Sequence, residues 1–131
     1  MNIKEFTIDL YEKVYQLWTS CEGVGLGDSD TEEQIDLFLN RNPGLSLVAM
    51  EGSDIVGAVL VGHDGRRGFI HHLAVSSDYR RKGIGKELVE QCLMGLKQQG
   101  ILKSHIFLFN DNLSGLEFWK SIGWFKRDDI C

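Results

Sequence analysis

Two clusters in this 131-residue chain have residue types and spacings suited to chemistry. The first is YRRKGIGKEL, Tyr79 to Leu88, in which Arg80, Arg81, Lys82 and Lys86 surround Gly83 and Gly85. Glycines there remove Cβ where a backbone must approach a ligand closely. If a helix starts at this point, its unpaired N–H groups and positive dipole end attract phosphate. The basic side chains add charge to the same place. Two readings follow: a patch for a polyanion, or a cradle for one small phosphorylated ligand. The second cluster is His71-His72, in which His71 is the candidate for proton transfer because an ordinary histidine pKa suits proton removal near neutrality.

The formal net charge of −5 makes the molecule as a whole repel nucleic acid and anionic lipid. Neither is an expected partner, and the basic cluster favours a small ligand. Cys21, Cys92 and Cys131 form no CxxC pair, and an odd count argues against a disulfide framework. Cys21 and Cys92 fall on apolar helical stripes, where a reduced cysteine serves as a small core hydrophobe. The opening MNIKEFTIDLYEKV has no continuous apolar region, and no run is long enough to span a bilayer. A soluble cytoplasmic protein is expected.

The elements that must position these clusters are readable from periodicity. Residues 2–8 alternate as a strand. Asp9 and Glu12 resemble a capping box before a helical stripe of Leu10, Val14, Leu17, Trp18 and Cys21. The loop EGVGLGDSD follows, and Ser29 or Asp30 is placed to cap a second helix that stops near Pro43. Residues 45–50 and 55–63 read as a hairpin. Asp64-Gly65 turns into a third run, 67–75, apolar on both sides of its alternation. A helix from the basic stretch carries Ile84, Leu88, Cys92 and Leu96 on one stripe and ends at Gly100. A strand over 104–109, a helix over 112–122 and a last short strand, WFKRDDIC, complete the chain. The order β-α-α-β-β-β-α-β-α-β describes one α/β domain over residues 1–131, with a mixed, mostly antiparallel sheet. Its fourth and fifth strands are joined by a helical crossover and should be parallel neighbours.

No GxxxxGK[ST] is present, and Leu88 occupies the place of a third dinucleotide-loop glycine. Instead LAVSSDYRRKGIGKELV (73–89) resembles motif A of the GNAT family of N-acetyltransferases. There an R/Q-x-x-G-x-G/A loop binds the pyrophosphate of acetyl-CoA, and Arg80, Gly83 and Gly85 take the three positions. Downstream, Asn112, Gly115 where the family usually has Ala, and FWKSIGW (118–124) against FYxxxGF match a second signature. The WTSC helix end and DGRRG hairpin look like small bacterial YpeA-type members. The resemblance implies the GNAT fold, with the fourth and fifth strands splayed, and direct attack of an acceptor amine on the thioester. It implies an acetyl-CoA site of Leu73, Ala74, Val75, Arg80, Arg81, Lys82, Gly83, Ile84, Gly85, Lys86, Asn112, Gly115 and Trp119. The Leu73 backbone N–H would be the oxyanion donor.

The family's general acid, a tyrosine seven residues after the asparagine, is replaced by Trp119, whose indole cannot deliver a proton near neutral pH. Tyr79 and a bound water are substitutes of equal standing. His71 is the candidate general base, sharing strand parity with Leu73 and Val75; a partly buried, hydrogen-bonded strand histidine is the competing role. By the same parity His72 should point to the opposite face and pack, so the pair should not chelate one metal, and no metal is expected. The EGVGLGDSD loop reads as a mobile lid. In the family this region lines the acceptor pocket, where Glu22, Asp28 and Asp30 would favour a cationic acceptor or else serve as caps and solvated acids. Few residues follow Gly123, which implies an open sheet edge and a homodimer. The implied function is acetyl-CoA-dependent N-acetylation of a small-molecule or protein amine. The alternative is an acyl-CoA-binding sensor without turnover.

Overall fold

The computed structural model describes residues 1–130. Five strands form one sheet in the order β1-β2-β3-β4-β5. They are β1 (Asn2–Glu5), β2 (Leu47–Glu51), β3 (Asp54–His63), β4 (Arg67–Val75) and β5 (Lys103–Ile106). The first three pairings are antiparallel, and β4–β5 is parallel. The helices are α1 (Tyr11–Thr19), α2 (Glu32–Arg41), α3 (Ile84–Gln98) and α4 (Leu113–Ser121).

Each face of the sheet has its own core. On one, α3 lays Ile84, Leu88, Cys92 and Leu96 against Val59, Val61 and Ile70. Spacing of four places these residues along one helical stripe. Close approach of α3 needs Gly57 in β3, because a Cβ there would sit 3.1 Å from both Ile84 and Leu88. On the other face, Val14, Leu17 and Trp18 of α1 and Ile35 of α2 cover Val48, Ala58, Leu60 and Ala74. Trp18 is completely buried. Burying a large apolar side chain of this kind contributes about 1.5–3 kcal/mol, so α1 is held by packing rather than by capping. Cys21 and Cys92 are both reduced and buried, as the stripes require, and burial pushes the Cys92 thiol up to about 12.

Several boundaries differ from the sequence expectation. Asp9 and Glu12 form no capping box: Ile8–Leu10 is a short 3-10 turn, and α1 begins at Tyr11 without a side-chain cap. The cap of α2 is Thr31, whose hydroxyl accepts the Gln34 N–H at 3.2 Å, in place of Ser29 or Asp30. Residues 107–109 lie outside β5. The last expected strand does not form over residues 124–130, and Cys131 lies outside the described residues. Trp124 goes into packing instead, against Trp119 at 4.8 Å between ring centroids, while Phe125 stays exposed.

One further departure changes the site. Leu60 pairs with His71 and Ala58 with Ala74, so Val59 alone stands opposite His72 and Leu73. This is a β-bulge, one extra residue on β4, and it reverses the side-chain parity beyond it. His72 carries the strained step, at φ +52°.

Candidate active site

The bulge divides β4 between two chemistries. Leu73 and Val75 turn toward the α3 face. His71 and His72 both line a cavity on the α1/α2 face. The expected shared parity of His71 with Leu73 and Val75 is therefore wrong, and so is the opposition of His71 to His72. Uninterrupted alternation gave both expectations, and the inserted residue breaks it. The face-based reason for excluding a shared metal falls too, although no group of three ligating side chains occurs among the described residues.

On the open edge of β4, pairing with β5 stops at Ile70 and Ile106. Residues 71–75 are then free on that edge, because the chain leaves β5 for α4. The strands splay as the family resemblance implies. At the end of the free edge a 3-10 turn, Ser77–Tyr79, leads into α3. Gly83 occupies the N-cap at φ +82°, and no side chain caps the helix. The N–H groups of Ile84, Gly85 and Lys86 thus lack intrahelical partners, which is the arrangement that receives an anion. A Cβ at Gly83 would meet no atom within 4 Å, so space for a ligand lies directly in front of it. Gly85 packs closely on α4, since a Cβ there would lie 3.2 Å from the Phe118 ring.

The basic side chains do not all serve this space. Arg80 turns back, its Nε donating to the Val75 carbonyl at 3.1 Å and Nη2 reaching the Cys21 sulfur at 3.8 Å. It ties the cradle to the end of β4 and α1. The Lys82 ammonium stands over the Tyr79 ring, 5.0 Å from its centroid. Lys86 remains exposed at the first turn, 4.0 Å from Glu90. Arg81 takes a left-handed conformation, φ +63°, two residues before the cap.

The second motif is structural in its visible contacts. Asn112 caps α4, accepting the Gly115 N–H at 2.9 Å. Gly115 itself sits under that side chain, and a Cβ there would come within 2.4 Å of the Asn112 amide nitrogen. Alanine, usual in the family, would displace the cap. Trp119 is largely buried, packed edge-on against Phe118 and Trp124.

The cavity on the α1/α2 face has a volume of about 780 Å³. Its walls are the loop from Gly25 to Asp30, α2 residues including Phe38 and Arg41, and the two histidines, with Phe109 at the mouth. The glycine loop is seated rather than loose. A Cβ on Gly23 would lie 2.7 Å from the Asn112 amide and one on Gly25 2.5 Å from the Phe109 ring. These glycines let the loop backbone touch the segment between β5 and α4. The expected lid therefore lies closed against the splayed strands. Glu22 is absent from the cavity wall, whereas Asp28 and Asp30 are on it.

His71 is held by ring contacts alone, edge-on to Phe38 and stacked with Phe69. Burial, with a smaller contribution from His72, holds its pKa below the ordinary histidine range, and Asp30 pulls partly the other way. His72 was expected only to pack. Its Nε2 instead lies 2.8 Å from the buried Asp30 carboxylate. A sequence signal for this pair was absent, since the partners are 42 positions apart and the bulge that joins them has no glycine to mark it.

A sequence model described as the acetyltransferase (GNAT) family matches residues 11–124. The chain belongs to this family. Within it, an acetyltransferase of Pectobacterium atrosepticum is 37% identical over 130 residues, covering 99% of this chain and 92% of the relative. An acetyltransferase of Sodalis glossinidius is 31% identical, covering 99% and 91%. Among solved structures, a GNAT acetyltransferase of Staphylococcus aureus superposes with a TM-score of 0.84 at 23% identity, over 99% of this chain and 89% of that one. The PaiA N-acetyltransferase of Thermoplasma acidophilum, solved with coenzyme A, gives 0.82 at 17% identity, over 98% and 92%. The GNAT fold, with parallel β4–β5 in an otherwise antiparallel sheet, is thereby established for this chain.

Proposed function

We propose that this protein transfers the acetyl group of acetyl-CoA to a primary amine of a small molecule or protein, by direct attack in a ternary complex. The observation that carries the reading is the free β4 edge beyond Ile70, flanked by the uncapped α3 N-terminus and by the histidine-lined cavity. In this reading the backbone at Leu73, Ala74 and Val75 pairs with the pantetheine arm. The N–H groups of Ile84 to Lys86, with Arg81, Lys82 and Lys86 side chains, hold the pyrophosphate. Arg80 acts by fixing the cradle, and Asn112 and Gly115 by fixing α4 beside it.

The Leu73 N–H, at the bulge, is the donor to the developing oxyanion. A donor in that role typically contributes on the order of 2.7–4 kcal/mol to transition-state stability. The acceptor enters through the cavity on the α1/α2 face, where Asp28 suits a cationic amine. The reading takes a cytoplasmic site of action, and no helix among the described residues is long and apolar enough to cross a membrane. Self-association through the outer edge of β5, which exposed Phe107 follows, completes the reading.

A second reading is favoured by Trp119. Buried in place of the usual tyrosine, it leaves the thiolate without a proton donor from α4, as in a module that only binds acyl-CoA. Titration with acetyl-CoA, followed by thiol release over a panel of amines, amino acids and peptide N-termini, separates the two. Turnover with any amine supports transfer; saturable binding without turnover on every acceptor supports the sensor.

A further inference from the structure

We propose that His72 is the base that deprotonates the acceptor amine, with Asp30 as the residue that positions it; this rests on the transferase reading above. The argument starts from the carboxylate. Asp30 is 6% exposed, and burying an ionised group requires partners. Its Oδ2 accepts the Gly27 N–H at 2.9 Å and its Oδ1 faces His72 Nε2 at 2.8 Å. Its backbone carbonyl accepts the Tyr11 hydroxyl at 2.6 Å. The carboxylate is thus fixed in place before any ligand arrives.

A fixed acceptor at Nε2 selects the tautomer with the proton on Nε2. The lone pair then resides on Nδ1. Nδ1 has no hydrogen-bond partner, and among the described residues no fully buried side-chain nitrogen or oxygen lacks one. Nδ1 is therefore open to solvent, and His72 lines the cavity. The imidazole plane is further held edge-on to Trp18, at 5.0 Å between centroids. The left-handed φ of +52° is a conformation that a non-glycine residue adopts at a cost, and such strain collects at functional positions. His71, by contrast, has no hydrogen-bonded partner to set its tautomer.

The step balances as follows. The acceptor ammonium gives one proton to Nδ1, and the Asp30 carboxylate stabilises the imidazolium. The freed nitrogen lone pair forms the C–N bond to the acetyl carbon, the C–S bond breaks, and its electron pair stays on sulfur. The second nitrogen proton neutralises the thiolate, and the proton on His72 passes to water. Other charged groups facing this imidazole are His71 on β4 and, across the cavity, Asp28 on the loop and Arg41 on α2.

The test uses the full chain and the amine that wild type acetylates best. His72→Gly keeps the left-handed backbone and vacates the ring's volume; His72→Asn, which also tolerates this conformation, is the second variant. Both should lower kcat by about 10²-fold or more with the acetyl-CoA KM unchanged. Added imidazole should restore part of the His72→Gly rate. The acid limb of the wild-type pH–rate profile should vanish in His72→Asn. Asp30→Asn, which retains an acceptor for Gly27, should lower kcat and displace that limb. Unchanged kcat in the His72 variants, or loss without imidazole rescue and with the acid limb intact, overturns the dyad alone. Wild type that binds acetyl-CoA yet acetylates no amine overturns the transferase reading, and the dyad with it.

Discussion

The indole N–H of Trp18 donates to the backbone carbonyl of His72 at 3.0 Å. This bond joins the end of α1 to the residue that forms the β4 bulge, 54 positions away in sequence. A carbonyl at a bulge has lost its ladder partner, and Trp18 supplies the replacement from a fully buried position. Helix α1 therefore helps hold the bulge and the ring of His72.

Trp18→Phe tests this link. Phenylalanine keeps most of the apolar contact and removes the donor, leaving the His72 carbonyl without its partner. A loss of about 1–3 kcal/mol in stability is expected from an unsatisfied buried acceptor. Urea unfolding measures it, and a loss near zero would show that the bond does not hold the bulge. Because the bulge carries His72, kcat should fall further than the acetyl-CoA affinity.

Motif A was legible because its chemistry is local: glycine spacing, basic charge and strand-to-helix context all lie within Tyr79–Leu88. The parallel β4–β5 unit followed from the crossover rule. The acceptor side was not legible. Its geometry depends on one inserted residue, and HHLAV alternates in sequence as though none were inserted. The Asp30–His72 pair needs the α1–α2 loop and β4 brought together, which no spacing encodes. Asp30 looked like a helix cap, and it is one for Gly27, but its second oxygen faces the histidine. The last strand failed for a different reason: Trp124 satisfies its hydrophobicity by packing edge-on against Trp119, so no sheet edge is needed.

Gly83→Asp and Gly83→Asn separate charge from conformation at the cradle. Both residues tolerate the left-handed φ of +82° better than other side chains do. They differ in charge while occupying nearly the same volume. The carboxylate in front of the α3 N-terminus should weaken acetyl-CoA binding at least about tenfold relative to the amide, equivalent to about 1.4 kcal/mol. Calorimetric titration reads this directly. Equal affinities for the two variants would remove the pyrophosphate from this loop.

Gly25→Ala tests whether the seated loop controls the acceptor side. Its methyl group would need the space of the Phe109 ring, 2.5 Å away, and the exposed Phe109 can yield. The loop should lift, raising the acceptor KM several-fold while leaving acetyl-CoA binding at wild-type level. Phe109→Ala in the same chain should recover most of the loss, because contacting residues are coupled rather than additive. Additive effects would place the two groups out of contact in solution.

His71 gives the pH dependence of stability a sign. Its folded pKa lies below the ordinary histidine value, principally because of burial. The folded state therefore prefers the neutral ring, and protonation favours the unfolded chain. Its contribution is fully present above about pH 6.5, the unfolded value, and is lost as pH falls through the lower folded value. His71→Phe retains an aromatic ring between Phe38 and Phe69 without the titration. Melting temperatures of the two proteins should diverge as pH falls from 7 toward 5, with wild type losing more. Parallel curves would mean that the His71 ring is solvated in the folded state.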